Sequence, residues 1–129
     1  ANALAAAGAA LRLLAPRSGG RVVLLHAVRP SRLRDAARRA LDTFADEVRA
    51  RSAEVARDSG APPVQVDVEL TEGAAAPVAI EHATRIGASL IAMGACGHSA
   101  FERLWLGSTA ERVLGGAPCP VVTARAASV

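Results

Sequence analysis

The chain has 129 residues, about half of them apolar (51%), with 15 basic against 12 acidic side chains and a formal charge of +3. That length suits one domain, residues 1–129, large enough to bury a single core, and no uninterrupted apolar run is long enough to cross a bilayer. Every basic side chain is arginine; the lack of lysine excludes the phosphate loop whose lysine reaches the β- and γ-phosphates.

The arginines are interleaved with acids, as in Arg34-Asp35 and Glu47-Val48-Arg49, and there are two phenylalanines, one tryptophan and no tyrosine. A nucleic-acid binder should show a basic patch or stacking platforms, and neither is evident. Cys96 and Cys119 lack histidines at metal-ligand spacing, so no metal site is expected. The alanine-rich start has no basic n-region, which points to a cytoplasmic chain, where a disulfide is not expected. Cys119, between prolines, reads as a core residue.

In chain order, Asn2 to Leu14 carries Leu4, Leu11 and Leu14 at helical spacing and is stopped by Pro16 and Gly19-Gly20. Arg21 to Val28 is a continuous apolar run, the pattern of a strand buried on both faces of a parallel sheet. From Ser31 a helix is predicted to about Asp58, with Leu33, Ala37, Leu41, Phe44, Val48 and Val55 on one stripe; Gly60 and Pro62-Pro63 end it. Val64 to Leu70 alternates strictly, so it reads as a strand near a sheet edge. A short helix follows, roughly Pro77 to Ile86, then an apolar strand from Ala88 to Met93, a helix from Ser108 to about Leu114, and a last strand from Pro120 to Ala124. Alternating strands and helices imply a parallel α/β sheet, whose ligands gather at the carboxyl ends of its strands.

The stretch from Met93 to Glu111 carries most of the information. A strand ends in Met93-Gly94, a loop containing Gly97 follows, and Gly107-Ser108-Thr109-Ala110-Glu111 opens a helix. Ser108 and Glu111 have the Ser-x-x-Glu spacing of a capping box. Glycines let backbone N–H groups approach a ligand, and a helix start adds unpaired donors and partial positive charge, so an anion such as phosphate suits the site. The bland alternative is a tight loop and an ordinary helix cap.

Gly94, Gly97, Gly107 and Ser108 reproduce a G-2x-G-9x-G-[S/T] pattern, flanked by Leu104-Trp105-Leu106 and by Ala117-Pro118-Cys119-Pro120-Val121-Val122. In these features the chain resembles the universal stress protein family, most closely from Leu90 to Arg125. The resemblance implies a Rossmann-like fold of the adenine nucleotide alpha hydrolase type: a parallel five-stranded sheet with helices on both faces. The first strand of that sheet, which ends in an acidic residue against the adenine, is absent from a sequence that opens on a helix; the expectation is that it lies upstream of Ala1. The Val28–Leu33 connection is short for the family and is a second place where residues could be missing.

By the same resemblance, Met93 and Gly94 line the ribose, and Gly97, Gly107, Ser108 and Thr109 surround the phosphates. Ala27 lies near the adenine, where a larger aliphatic is commoner, and His98 meets a phosphate when protonated, the alternative and the favoured reading at pH 7 being a neutral surface histidine. His26 is expected to pack within its strand, His82 to face solvent, and Phe101, Leu104 and Trp105 to brace the loop. The ligand implied is ATP, with or without Mg2+, and the partner a second copy joined through Pro120–Ala124. No catalytic residue, metal ligand, nucleic acid or membrane partner is indicated. The function implied is a dimeric ATP-binding stress-response regulator with at most slow hydrolysis or autophosphorylation. The alternative is a dimerisation and protein-interaction module that keeps the fold without the nucleotide.

Overall fold

Small side chains recurring on one face make the first segment a helix, α1 (Asn2–Leu14), whose stripe of Ala6, Ala7, Ala10 and Leu11 is buried. The computed structural model describes residues 2–14, 20–28, 33–60, 62–94 and 107–124. After α1 come β1 (Arg21–Val28), α2 (Arg34–Ser59), β2 (Gln65–Glu72), α3 (Ala75–Ile86), β3 (Ile91–Gly94), α4 (Ser108–Gly116) and β4 (Val121–Ala124). Two compact units result, one of residues 10–74 and one of residues 1–9 with 75–129.

In the first unit β1 and β2 pair in parallel, from Arg21 opposite Gln65 to Val28 opposite Glu72. A parallel pair needs a long crossover, and α2 supplies it. Leu24 and Val28 of β1 and Val66 and Leu70 of β2 are buried, and all four lie on the same face of the ladder. Against them α2 sets Leu41, Ala45, Val48 and Ser52, spaced four, three and four residues apart. Each fully buried aliphatic side chain contributes roughly 1.5–3 kcal/mol of transfer free energy. The helix ends at Gly60, whose φ of 75° is the left-handed conformation glycine adopts cheaply; its N–H reaches the Ala56 carbonyl at 2.9 Å.

The buried stripe of α2 is rotated from the one that apolar spacing predicts. Leu33 is 51% exposed, while Ala37, Phe44 and Val55 are half-buried. Ser52 takes a core place at 3% exposure because its Oγ accepts the Val64 N–H at 3.0 Å, so no polar atom is stranded. The strand β1 also departs from expectation: its second face, with Val23, Leu25 and Ala27, is half-buried rather than fully covered. His26, expected to pack, is exposed, which keeps its polar ring in water.

The ladder fixes which backbone groups of β2 face outward. Gln65 N–H donates to the Gly20 carbonyl and Gly73 N–H to the Val28 carbonyl, both at 3.0 Å, so odd-numbered residues of β2 bond β1. Even-numbered residues therefore turn their N–H and C=O to the outer edge. On the half-buried face, Arg21 Nε donates to Asp67 Oδ2 at 2.6 Å and Gln65 donates to the same carboxylate.

In the second unit β3 and β4 pair in parallel, Ile91 opposite Val121 through Gly94 opposite Ala124. Helix α3 closes with Gly87 at φ 64°, where Gly87 N–H meets the Thr84 carbonyl and Ala88 N–H the Ala83 carbonyl, a Schellman arrangement. That helix end engages Ala88, so β3 starts at Ile91 rather than at Ala88. Helices α3 and α4 approach closely at Gly116, where an added Cβ would lie 2.8 Å from Ile80 Cδ1.

All four strands expected within the sequence are present and paired in parallel, but as two couples. Among the described residues they do not form the single five-stranded sheet that the family resemblance implies.

Replacing Ser52 by alanine leaves the Val64 N–H without its acceptor, and we expect a loss of about 1–3 kcal/mol in denaturant-unfolding free energy. The Asp67 carboxyl is held below its ordinary 3.8 by the Arg21 hydrogen bond first and the Gln65 amide next. Its depressed value means that the pair stabilises the fold above that range and ceases to as pH falls through it. In Arg21→Ala the Asp67 titration midpoint, followed by carboxyl carbon shifts in NMR, should rise toward the ordinary value. The stability gap between wild type and variant should narrow as pH drops below about 4.

Candidate anion site at the start of α4

Two elements of the second unit supply the described part of the site. The strand β3 ends in Met93 and Gly94, both half-buried, opposite Thr123 and Ala124 of β4. The helix α4 begins at Ser108, with Gly107 as its N-cap in an extended conformation, φ −64° and ψ 154°. Gly97 and His98 lie outside the described residues, as do Cys96, Phe101, Leu104 and Trp105.

The capping box expected from Ser108 and Glu111 does not form. A box needs its serine at the non-helical N-cap, and Ser108 is instead the first helical residue. Glycine at the cap has no side-chain oxygen to offer, and no side-chain cap hydrogen bond is made. The Glu111 N–H takes the Gly107 carbonyl at 3.0 Å, the first bond of the helix. The amides of Ser108, Thr109 and Ala110 precede that bond, so helix geometry gives them no intrahelical acceptor. Ser108 and Thr109 are exposed, with two hydroxyls beside these amides, while Ala110 and Val113 are buried and hold the helix in place.

Chemically, this is a cluster of donors at the positive end of a helix dipole, suited to a phosphate or another anion. The φ of Gly107 is open to any residue, so the glycine is not required by backbone strain.

The remaining sequence-derived residues fall elsewhere. Ala27 is half-buried near the end of β1, opposite Thr71, in the other unit. His82, expected to face solvent, is half-buried; its Nδ1 lies 2.7 Å from Arg85 Nη2. Cys119 is half-buried in the turn before β4, less enclosed than a core residue. No group of three or more His, Cys, Asp or Glu able to hold a metal occurs among the described residues. No helix among them is long and apolar enough to cross a membrane. Composition and spacing gave no sign of Arg34 and Arg49 as backbone-binding residues. Arg49 reaches the Val66 carbonyl at 3.2 Å and Arg34 the Leu70 carbonyl at 3.5 Å.

Residues 1–125 match the model of the universal stress protein family. A 62-residue stretch is 42% identical to a universal stress protein of Methanocaldococcus jannaschii; it spans 48% of this chain but 36% of that relative. Among solved structures, a universal stress protein from Archaeoglobus fulgidus superposes with a TM-score of 0.72 at 20% identity, covering 96% of this chain and 90% of that one. One from the same organism in complex with dAMP gives 0.67 at 19% identity, over 96% and 88% of the two chains. A universal stress protein in complex with cAMP gives 0.65 at 20% identity, over 98% and 89%. At these identities the superpositions speak for the fold.

Proposed function

The chain belongs to the universal stress protein family, and from that membership we propose that it is an ATP-binding stress-response regulator acting as a homodimer. The observation carrying the proposal is the α4 start: a glycine N-cap with no side-chain cap bond, followed by two exposed hydroxyl residues. Two structural neighbours bound to adenine nucleotides, dAMP and cAMP, support an adenine nucleotide as the ligand.

In this reading the Ser108, Thr109 and Ala110 amides and the Ser108 and Thr109 hydroxyls hold the phosphates. Met93 and Gly94 face the ribose. Gly97 and His98 join the phosphate side, and Ala27 the adenine, on the strength of the family resemblance. The single five-stranded domain with helices on both faces is part of the same proposal. The described residues provide no carboxylate cluster for Mg2+, so an accompanying ion would rest on phosphate oxygens and water. With no acid–base pair at the α4 start among the described residues, the turnover proposed is at most slow hydrolysis or autophosphorylation.

Dimerisation through β4 is supported by the geometry of its edge. Ile91 N–H donates to the Pro120 carbonyl at 3.0 Å, so Pro120, Val122 and Ala124 turn their backbone groups toward β3. Val121 and Thr123 turn theirs outward, a ready surface for a second copy.

Gly107→Asp tests the ligand directly. An aspartate cap accepts from the helix-start amides and brings a negative charge, so the fold should be kept or gain a few tenths of a kcal/mol. ATP affinity by calorimetric titration should fall by about tenfold or more, the worth of one charge-assisted bond. Unchanged ATP binding in this variant removes the α4 start from the site, and no binding by the wild type leaves the interaction-module reading. For the dimer, Thr123→Pro deletes an outward N–H without touching the β3 ladder. Sedimentation should then show monomers where the wild type shows dimers.

A further inference from the structure

The outer edge of β2 is occupied by side chains of α2, and we propose that Arg34 and Arg49 guard this edge against strand pairing with a second copy of the chain. The ladder to β1 leaves the even-numbered residues Val66, Val68, Leu70 and Glu72 with their N–H and C=O directed outward. Such a row templates pairing with another extended chain unless something blunts it, and charged side chains are a common device.

Three side chains of α2 meet this edge in order. Ser52 accepts the Val64 N–H at 3.0 Å, Arg49 donates to the Val66 carbonyl at 3.2 Å, and Arg34 donates to the Leu70 carbonyl at 3.5 Å. Arg49 is also held from its other side, its Nη1 lying 3.3 Å from Asp46 Oδ1 on the preceding turn. The carboxylate fixes one arm of the guanidinium and aims the other at the strand. Both arginines are on exposed positions of the helix, so their charge stays hydrated while their donors fill two outward carbonyls. An incoming strand would have to displace both bonds and bring its own dipoles against two cations. At β4 no side-chain hydrogen bond reaches the outward groups of Val121 or Thr123 among the described residues; in β2 the outward carbonyls of Val66 and Leu70 are both taken.

Replacement of both arginines by alanine keeps α2 helical, since alanine is the best helix former, and uncovers the two carbonyls. The double variant should self-associate on the order of tenfold more tightly in sedimentation across a concentration series. A variant with lysine at both positions should remain at the wild-type mass. Amide exchange by NMR identifies the surface: Val66, Val68 and Leu70 N–H groups should exchange fast in the wild type and become protected with concentration in the double alanine variant. Asp67, Glu69 and Thr71 should stay protected throughout, because their bonds to β1 persist. Wild-type sedimentation and exchange at all concentrations in the double alanine variant overturns the proposal. Association with loss of protection at Asp67, Glu69 and Thr71 also overturns it, since the arginines would then be holding the fold together. The single Arg49→Ala variant, with the shorter bond removed, should show the same pattern more weakly. The readout is specific to β2, so it stands whether or not copies pair through β4.

Discussion

Parallel strands cannot be joined by a tight turn, and that restriction organises each unit. Between β1 and β2 the chain must travel back the length of the ladder, so α2 runs antiparallel to the strand that follows it. The hydrogen bonds record this direction: Arg34, Arg49 and Ser52, in that order along α2, meet Leu70, Val66 and Val64, in descending order along β2. One helix thereby does two jobs. Its apolar stripe covers the buried face of the ladder, and the polar residues flanking the stripe reach round to the strand's outer edge.

The same restriction puts a helix between β3 and β4. In parallel α/β architecture a helix that returns along the sheet starts at the carboxyl end of the preceding strand. The segment leaving Gly94 therefore leads to a helix start, and the donors of that start are brought to the strand-end side, where ligands collect in such folds. The candidate site follows from topology before it follows from any one side chain.

Element type was legible in the sequence wherever periodicity was strong. The ends of α1 and β1 fall where alanine spacing and the apolar run place them, and β2 is a strand where the alternation puts one. What could not be read depended on hydrogen bonds between distant residues. Ser52 carries no apolar signal, and its burial is explained by the Val64 amide twelve residues on. The start of β3 is set by a helix end that engages Ala88, a backbone detail invisible in composition. At the site, the Gly107-Ser108 pair was legible, but the Ser-x-x-Glu spacing misled. Spacing cannot say which residue leaves the helix, and glycine rather than serine takes the cap.

That misreading bears on function. A serine, threonine, aspartate or asparagine at the N-cap would satisfy one of the helix-start amides from within, and glycine in its place forgoes a few tenths of a kcal/mol. The backbone of Gly107 is in a conformation open to any residue, so no strain compels the choice. A local rule is thus relaxed where the fold does not demand it, and the N-cap closes none of the helix-start donors with a side chain of its own. Departures of this kind, where local propensity and structure part, concentrate at functional positions. The small forfeit in helix stability is what a phosphate would repay on binding, and it would do so through the amides that a side-chain cap would have closed.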